Sequence, residues 1–165
     1  SYNSQYKTNY KCLMPTNTFG PKDNYHTLNS HFFPALIKKV HNLKLNNKKE
    51  LTLWGDGSAK REVIYVDDLA DACIFFMKKR FSELVINIGT GKDFSIRQYA
   101  KMLINHIIPK NKIKIKYDLS KPSGTPRKVL DIKLANKYGW KSKTKLDDAI
   151  IKTYKSFLED NKTVQ

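Results

Sequence analysis

Phe32, Phe33, Leu36, Ile37, Val40 and Leu43 recur at the spacing of one helical face, with Lys38 and Lys39 toward the polar side. They predict a helix over 29–45, in which Pro34 is tolerable because it falls in the first turn. A second stripe, Ile96, Tyr99, Ala100, Leu103, Ile104 and Ile107, follows Ser95 and Gln98, which have the spacing of a capping box. Leu69, Ala70, Cys73, Phe76 and Met77 form a third, on a helix begun at Asp67 and complemented at its carbonyl end by Lys78, Lys79 and Arg80. Leu146, Ala149, Ile150, Thr153, Tyr154 and Phe157 form a fourth, and residues 131–138 read as a short helix stopped at Gly139. Residues 1–8 read as the end of a helix whose start is absent.

Between these helices lie short apolar runs with strand character, at 10–14, 51–54, 61–66 and 84–88. Strands 51–54 and 61–66 flank the turn Gly55-Asp56-Gly57 and are expected to pair as a hairpin carrying Trp54 and Arg61. In 112–117 lysines alternate with Ile113 and Ile115, the pattern of a strand with one solvated face. Residues 120–126 form a proline- and glycine-rich loop. Helices alternating with strands give an α/β class.

With 165 residues the chain has the size of one domain and enough apolar residues for a core. A net charge of +16 admits a nucleic-acid partner, since clustered lysines release counterions from a phosphate backbone. The lysines are instead spread through every segment, which describes a lysine-rich surface; a basic nucleic-acid-binding module is the remote alternative. No run of about 18 apolar residues is present, so no membrane span is expected. The first residues lack a basic segment followed by an apolar one, and the chain does not begin with Met, which is expected of a piece cut from something longer. Cys12 and Cys73 are expected to be small buried thiols, and two such residues suggest a reducing, cytoplasmic compartment.

The stretch that concentrates unusual residues is Pro15-Thr16-Asn17-Thr18-Phe19-Gly20-Pro21, followed by Asp23-Asn24-Tyr25-His26 and Asn29-Ser30-His31. It places a turn at the end of the first strand, where open α/β sheets bind ligands. Together with Trp54-Gly55-Asp56-Gly57, Arg61-Glu62, Val66-Asp67-Asp68, Asn87-Ile88-Gly89-Thr90-Gly91 and the loop from Lys121 to Lys128, it resembles the GDP-L-fucose synthases. These are extended short-chain dehydrogenase/reductases with 3,5-epimerase and 4-reductase activity. The resemblance covers nearly the whole chain. Nothing in the sequence supplies Gly-x-Gly-x-x-Gly at a strand-to-helix turn, or a tyrosine and a lysine four apart with a nearby serine ahead of the first strand. Gly89-Thr90-Gly91 reads as a sheet-edge turn rather than a phosphate cradle.

The resemblance therefore implies the C-terminal part of an extended Rossmann-type reductase. Residues 1–30 would be a remnant of the NADP-binding Rossmann domain. Residues 31–160 would be mainly the substrate-binding domain with returning Rossmann elements, and 161–165 a frayed tail. The intact enzyme would epimerise GDP-4-dehydro-6-deoxy-D-mannose at C3 and C5 and reduce C4 with NADPH; the isolated chain would be inactive. Family members are commonly dimers, which implies a homodimer for the intact enzyme. Another nucleotide-sugar epimerase or dehydratase of the superfamily is the nearer alternative.

By that resemblance His31 is the acid of the epimerisation, its cysteine partner being other than Cys12. An imidazole titrating near neutrality suits either proton role. His26, in the same loop, is a lesser candidate that could simply shape the turn. Pro15, Thr16, Asn17, Thr18 and His31 would lie against the nicotinamide end of NADP(H), although Asn17 equally reads as a residue that ties down the turn. Lys39, Trp54 and Arg61 would contact the GDP-sugar. An indole offers a flat apolar face and a guanidinium paired donors for phosphate, while the plain alternatives are a core tryptophan and solvated cations. Ser123 stands where the family usually has aspartate, which removes a charge from that substrate contact. Lys121 and Arg127 flank it and are either phosphate contacts or parts of an exposed basic loop. The expected geometry is one cleft, with His31 facing the hexose and Trp54 and Arg61 gripping the diphosphate.

Overall fold

The computed structural model describes residues 2–26, 29–110 and 112–162. Helix α1 (Tyr2–Tyr6) leads into β1 (Cys12–Pro15) and β2 (Asn17–Phe19), followed by α2 (Phe32–Leu45), β3 (Glu50–Trp54), β4 (Lys60–Tyr65) and α3 (Val66–Met77). Next come β5 (Val85–Ile88), β6 (Asp93–Ser95), α4 (Ile96–Ile107), β7 (Lys114–Asp118), β8 (Arg127–Lys128), α5 (Lys133–Lys137) and α6 (Leu146–Lys162). Helix α6 runs into the tail that was expected to fray, and residues 163–165 lie outside the described residues.

Strand β4 is the hinge of the topology. Val63, Ile64 and Tyr65 are buried in succession, so the strand needs cover on both faces and partners on both edges. It pairs in parallel with β2, antiparallel with β6 and, at its start, in parallel with β8. Strand β3 instead alternates buried and exposed residues and pairs in parallel with the lysine-rich β7, Leu53 standing opposite Tyr117. The expected hairpin of 51–54 with 61–66 is thus not formed, and the turn at Gly55 to Gly57 carries the chain from one sheet to another. A separate parallel pair, β1 with β5, aligns Met14 with Asn87.

Two apolar clusters hold these layers together. The larger joins Phe33, Ile37 and Val40 of α2 to Tyr99, Leu103 and Ile107 of α4 and to Ile150 and Phe157 of α6. The helical stripes on α2 and α4 are those the sequence predicts, and Ser95 and Gln98 close a reciprocal capping box at the start of α4. The smaller cluster packs Ile64, Ile86 and Ile88 against Ala72, Phe76 and Trp140.

Helix α3 departs from its predicted stripe. Phe76 is buried as expected, but Met77 is 81% exposed and Ala70 and Cys73 are exposed as well, while Asp68 and Ala72 are buried. The cause is polar: the Asp68 carboxylate accepts hydrogen bonds from Lys143 N, Thr144 N and Thr144 Oγ1, which turns that side of the helix inward. Cys12 is exposed too, so neither cysteine is the buried thiol expected.

Candidate functional site

At the end of β1 the chain is held to the neighbouring strand by Thr16 N donating to Ile88 O at 3.0 Å. It then turns into β2, where Asn17 Nδ2 donates to the backbone oxygen of Glu62 at 2.8 Å and Thr16 Oγ1 to the same oxygen at 3.2 Å. The side chain of Asn17 does tie down the strand exit. Beside it is a hollow of about 580 Å³ lined by Pro15, Thr16, Asn17 and Thr18, by His31, and by Lys128, Val129 and Leu130.

His31 caps α2 in extended conformation, with φ −64° and ψ 162°, and its carbonyl accepts from Ala35 N at 3.1 Å. Its side chain makes no capping bond, so the imidazole is not committed to the helix. The helix starts at Phe32 rather than at Asn29, which puts His31 at the mouth of the hollow instead of within a turn. Asp23 lies near enough for His31 to act on its charge. Burial raises the Asp23 carboxyl above its ordinary value, opposed by the N–H groups of Asn24 and Gly20 and by His31. Thr27 and Leu28, between His26 and His31, lie outside the described residues.

Trp54 is 63% exposed, which overturns the reading of a core tryptophan. The Lys39 ammonium lies 5.4 Å from the indole centroid, and lost solvation lowers its pKa from the ordinary lysine value. The pair borders a shallower hollow of about 410 Å³ together with Asn42, Asn46 and Thr52. Arg61 is turned onto backbone, Nη1 donating to Thr125 O at 2.6 Å and to Lys60 O at 2.7 Å. Its own carbonyl receives Tyr99 Oη at 2.8 Å. Ser123 accepts from Asp56 N and donates to Asp56 Oδ1 at 3.1 Å, and it abuts Gly55, where a Cβ would fall 2.3 Å from Ser123 Oγ and whose φ of +62° favours glycine as well. Arg127 is paired with Asp93, and that hydrogen bond is the chief reason the Asp93 carboxyl sits below its usual range.

The nucleotide-contact candidates and His31 therefore do not share one hollow. His31 joins the 15–18 segment, Lys39 joins Trp54, and Arg61 and Ser123 engage the 123–125 loop or the turn at Asp56. The expectation of a single cleft is corrected accordingly. The physical reason is that β3 and β4 belong to different sheets, so Trp54 and Arg61 are not carried side by side on a hairpin. Sequence reasoning missed the wall from Lys128 to Leu130 and the completely buried Glu62 beneath it. The available signal for Glu62 was a carboxylate directly before the apolar run Val63-Ile64-Tyr65. Among the described residues no cluster of His, Cys, Asp and Glu could hold a metal ion, and no helix is long and apolar enough to cross a membrane.

Comparison with known proteins adds chemistry to this geometry. A family profile described as "NAD dependent epimerase/dehydratase family" matches residues 1–89. A probable GDP-L-fucose synthase 1 from Oryza sativa subsp. japonica is 40% identical over 97% of this chain and 48% of its own length. A GDP-L-colitose synthase from Yersinia pseudotuberculosis is 39% identical over 92% of this chain and 49% of its own. The crystal structure of a GDP-6-OMe-4-keto-L-xylo-heptose reductase from C. jejuni superposes with a TM-score of 0.84 at 32% identity, covering 97% of this chain and 57% of that one. The chain spans about half the length of the curated relatives it matches.

Proposed function

We propose that this chain, which belongs to the NAD dependent epimerase/dehydratase family, is the substrate-side part of a GDP-L-fucose synthase. The complete enzyme would invert C3 and C5 of GDP-4-dehydro-6-deoxy-D-mannose and reduce C4 to give GDP-L-fucose. The observation that carries the reading is His31, uncommitted at a helix start and opening onto the hollow beside the 15–18 segment. The three relatives named above support the substrate class, since each of the three carries GDP in its name while the sugars differ.

In this reading the C4 ketone acidifies the hydrogens on C3 and C5. A base removes the proton from one face, an enolate forms, and His31 returns a proton from the other face, so the carbon is inverted with no net change in atoms. Trp54 stacks on the nucleotide, Lys39 and Arg61 place positive charge by the diphosphate, and Ser123 contributes a neutral contact in place of a carboxylate. A GDP-sugar would thus have to run from the Lys39–Trp54 hollow, past Arg61, to His31. NADPH would lie against Pro15, Thr16, Asn17, Thr18 and His31, which line the hollow, and when bound it would supply the hydride for C4. Residues 1–30 are assigned to the cofactor side and 31–160 mainly to the substrate side. The complete enzyme is assigned as a cytoplasmic homodimer.

Product analysis tests this directly. With GDP-4-dehydro-6-deoxy-D-mannose and NADPH, the complete enzyme is expected to yield GDP-L-fucose by NMR and to leave UDP-hexoses unchanged. Turnover of UDP-sugars without action on the GDP-ketosugar would contradict it. A second GDP-sugar as preferred substrate would favour the colitose- or heptose-type relatives instead.

A further inference from the structure

Glu62 is fully buried within β4, and no ion pair to it is found among the described residues. Its charge is met by hydrogen-bond donors alone. Oε1 accepts from Thr90 N at 2.5 Å, Gly91 N at 2.7 Å and Thr90 Oγ1 at 3.3 Å, and Oε2 accepts from Leu130 N at 2.8 Å. The turn is moulded to the carboxylate, for a Cβ placed on Gly89 would fall 2.3 Å from Oε1. The backbone oxygen of Glu62 meanwhile receives the side chains of Thr16 and Asn17. The parallel pairing of β8 with β4 sets Lys128 opposite Arg61, and the chain then runs on to bring Leu130 N to Glu62.

One residue therefore holds both walls of the His31 hollow. Thr16 and Asn17 hang from its carbonyl, Leu130 from its carboxylate, and the Gly89–Gly91 turn closes the network behind. A buried carboxylate is expensive to desolvate, and its cost is justified where four donors must converge on one point. A neutral amide has one acceptor oxygen and cannot receive donors on both sides. We propose that Glu62 is a positioning residue, which sets the separation of the two walls across which His31 meets the sugar. The proposal deepens the reading above and rests on it for the identity of the reaction.

Glu62→Gln keeps the length and volume of the side chain but turns one acceptor into a donor, so it can serve the turn or Leu130 and not both. In the complete enzyme, kcat for exchange of the sugar C3 and C5 hydrogens with deuterated water is expected to fall by about tenfold or more. KM for the GDP-ketosugar should change by less than about threefold, because the nucleotide is held by other residues. Glu62→Asp, one methylene short, should show the same split. Both variants reading within about threefold of wild type in kcat per folded molecule would overturn the proposal. Amide hydrogen exchange gives a readout independent of activity. Leu130 and Gly91 are expected to be protected in the wild type, and one of the two to exchange fast in Glu62→Gln while Leu103 in α4 stays protected. Should neither variant fold, fast exchange at Leu130 in the wild type would overturn the proposal and protection there would support it. A wild type that exchanges no sugar hydrogens would refute the reaction assigned above, and the amide pattern would still decide the role of Glu62 as the clamp.

Discussion

Replacing His31 by glutamine is expected to slow solvent exchange at C3 and C5 of GDP-4-dehydro-6-deoxy-D-mannose by about a hundredfold or more, the usual worth of a positioned acid or base. The His31 backbone is the part α2 uses, through its carbonyl, while the imidazole makes no capping bond and lines the hollow. Glutamine preserves that backbone role and most of the volume but has no group that titrates near neutrality. The melting temperature should accordingly stay within about 3 °C of wild type, since this exposed cap position has no side-chain capping bond to lose and such a substitution usually costs under about 0.5 kcal/mol. Affinity for GDP, measured by calorimetry, should change by less than about threefold. Deuterium incorporation at the wild-type rate in the variant would remove His31 from the reaction.

The largest expected loss of stability follows from Tyr99→Ala. The ring is completely buried, with centroids at 5.4 Å from Phe33, 5.6 Å from Phe94 and 5.8 Å from Phe32. Deleting a core aromatic leaves a cavity that its neighbours fill only in part, at a cost of about 3–5 kcal/mol. For a domain of this size that lowers the melting temperature by roughly 6–20 °C. Tyr99→Phe keeps the rings and deletes only the hydrogen bond to Arg61 O, at a cost of about 1 kcal/mol.

The pH dependence has a definite sign. Burial, then the charge of Glu62, raises the Tyr99 hydroxyl pKa above the ordinary tyrosine value. The unfolded chain therefore releases this proton first, at about pH 10, and the stabilisation present below that pH is lost as pH rises further. Thermal melts of Tyr99→Phe should show a shallower alkaline decline than the wild type.

These residues also show what the sequence makes legible. Tyr99 and its helix are plain because the apolar period and the Ser95–Gln98 box agree, two local signals with one answer. The strand expected at 10–14 is found at β1, Cys12–Pro15, where an apolar run ends at turn-forming residues. Strand partners are not legible, because register is set by what lies across the sheet. A turn as tempting as Gly55-Asp56-Gly57 joins strands that pair elsewhere, β3 with β7 and β4 with β2. Nor is an inward-facing carboxylate visible to a search for apolar stripes. Asp68 rotates α3 by binding the backbone of Lys143 and Thr144, and Glu62 organises the His31 hollow by binding Thr90, Gly91 and Leu130. All five partners are distant in sequence from the acid that holds them. The same distance hid the wall formed by Lys128 and Val129.

One ligand must link hollows that are separate in this chain, and a crystal structure of the complete enzyme with the GDP-ketosugar bound tests that link most directly. The expected result is the guanine or diphosphate against Trp54, Lys39 and Arg61, with C3 or C5 of the hexose about 3–4 Å from the His31 imidazole. A hexose lodged away from His31, such as in the larger hollow bordered by Lys141, Lys145 and Tyr65, would contradict it.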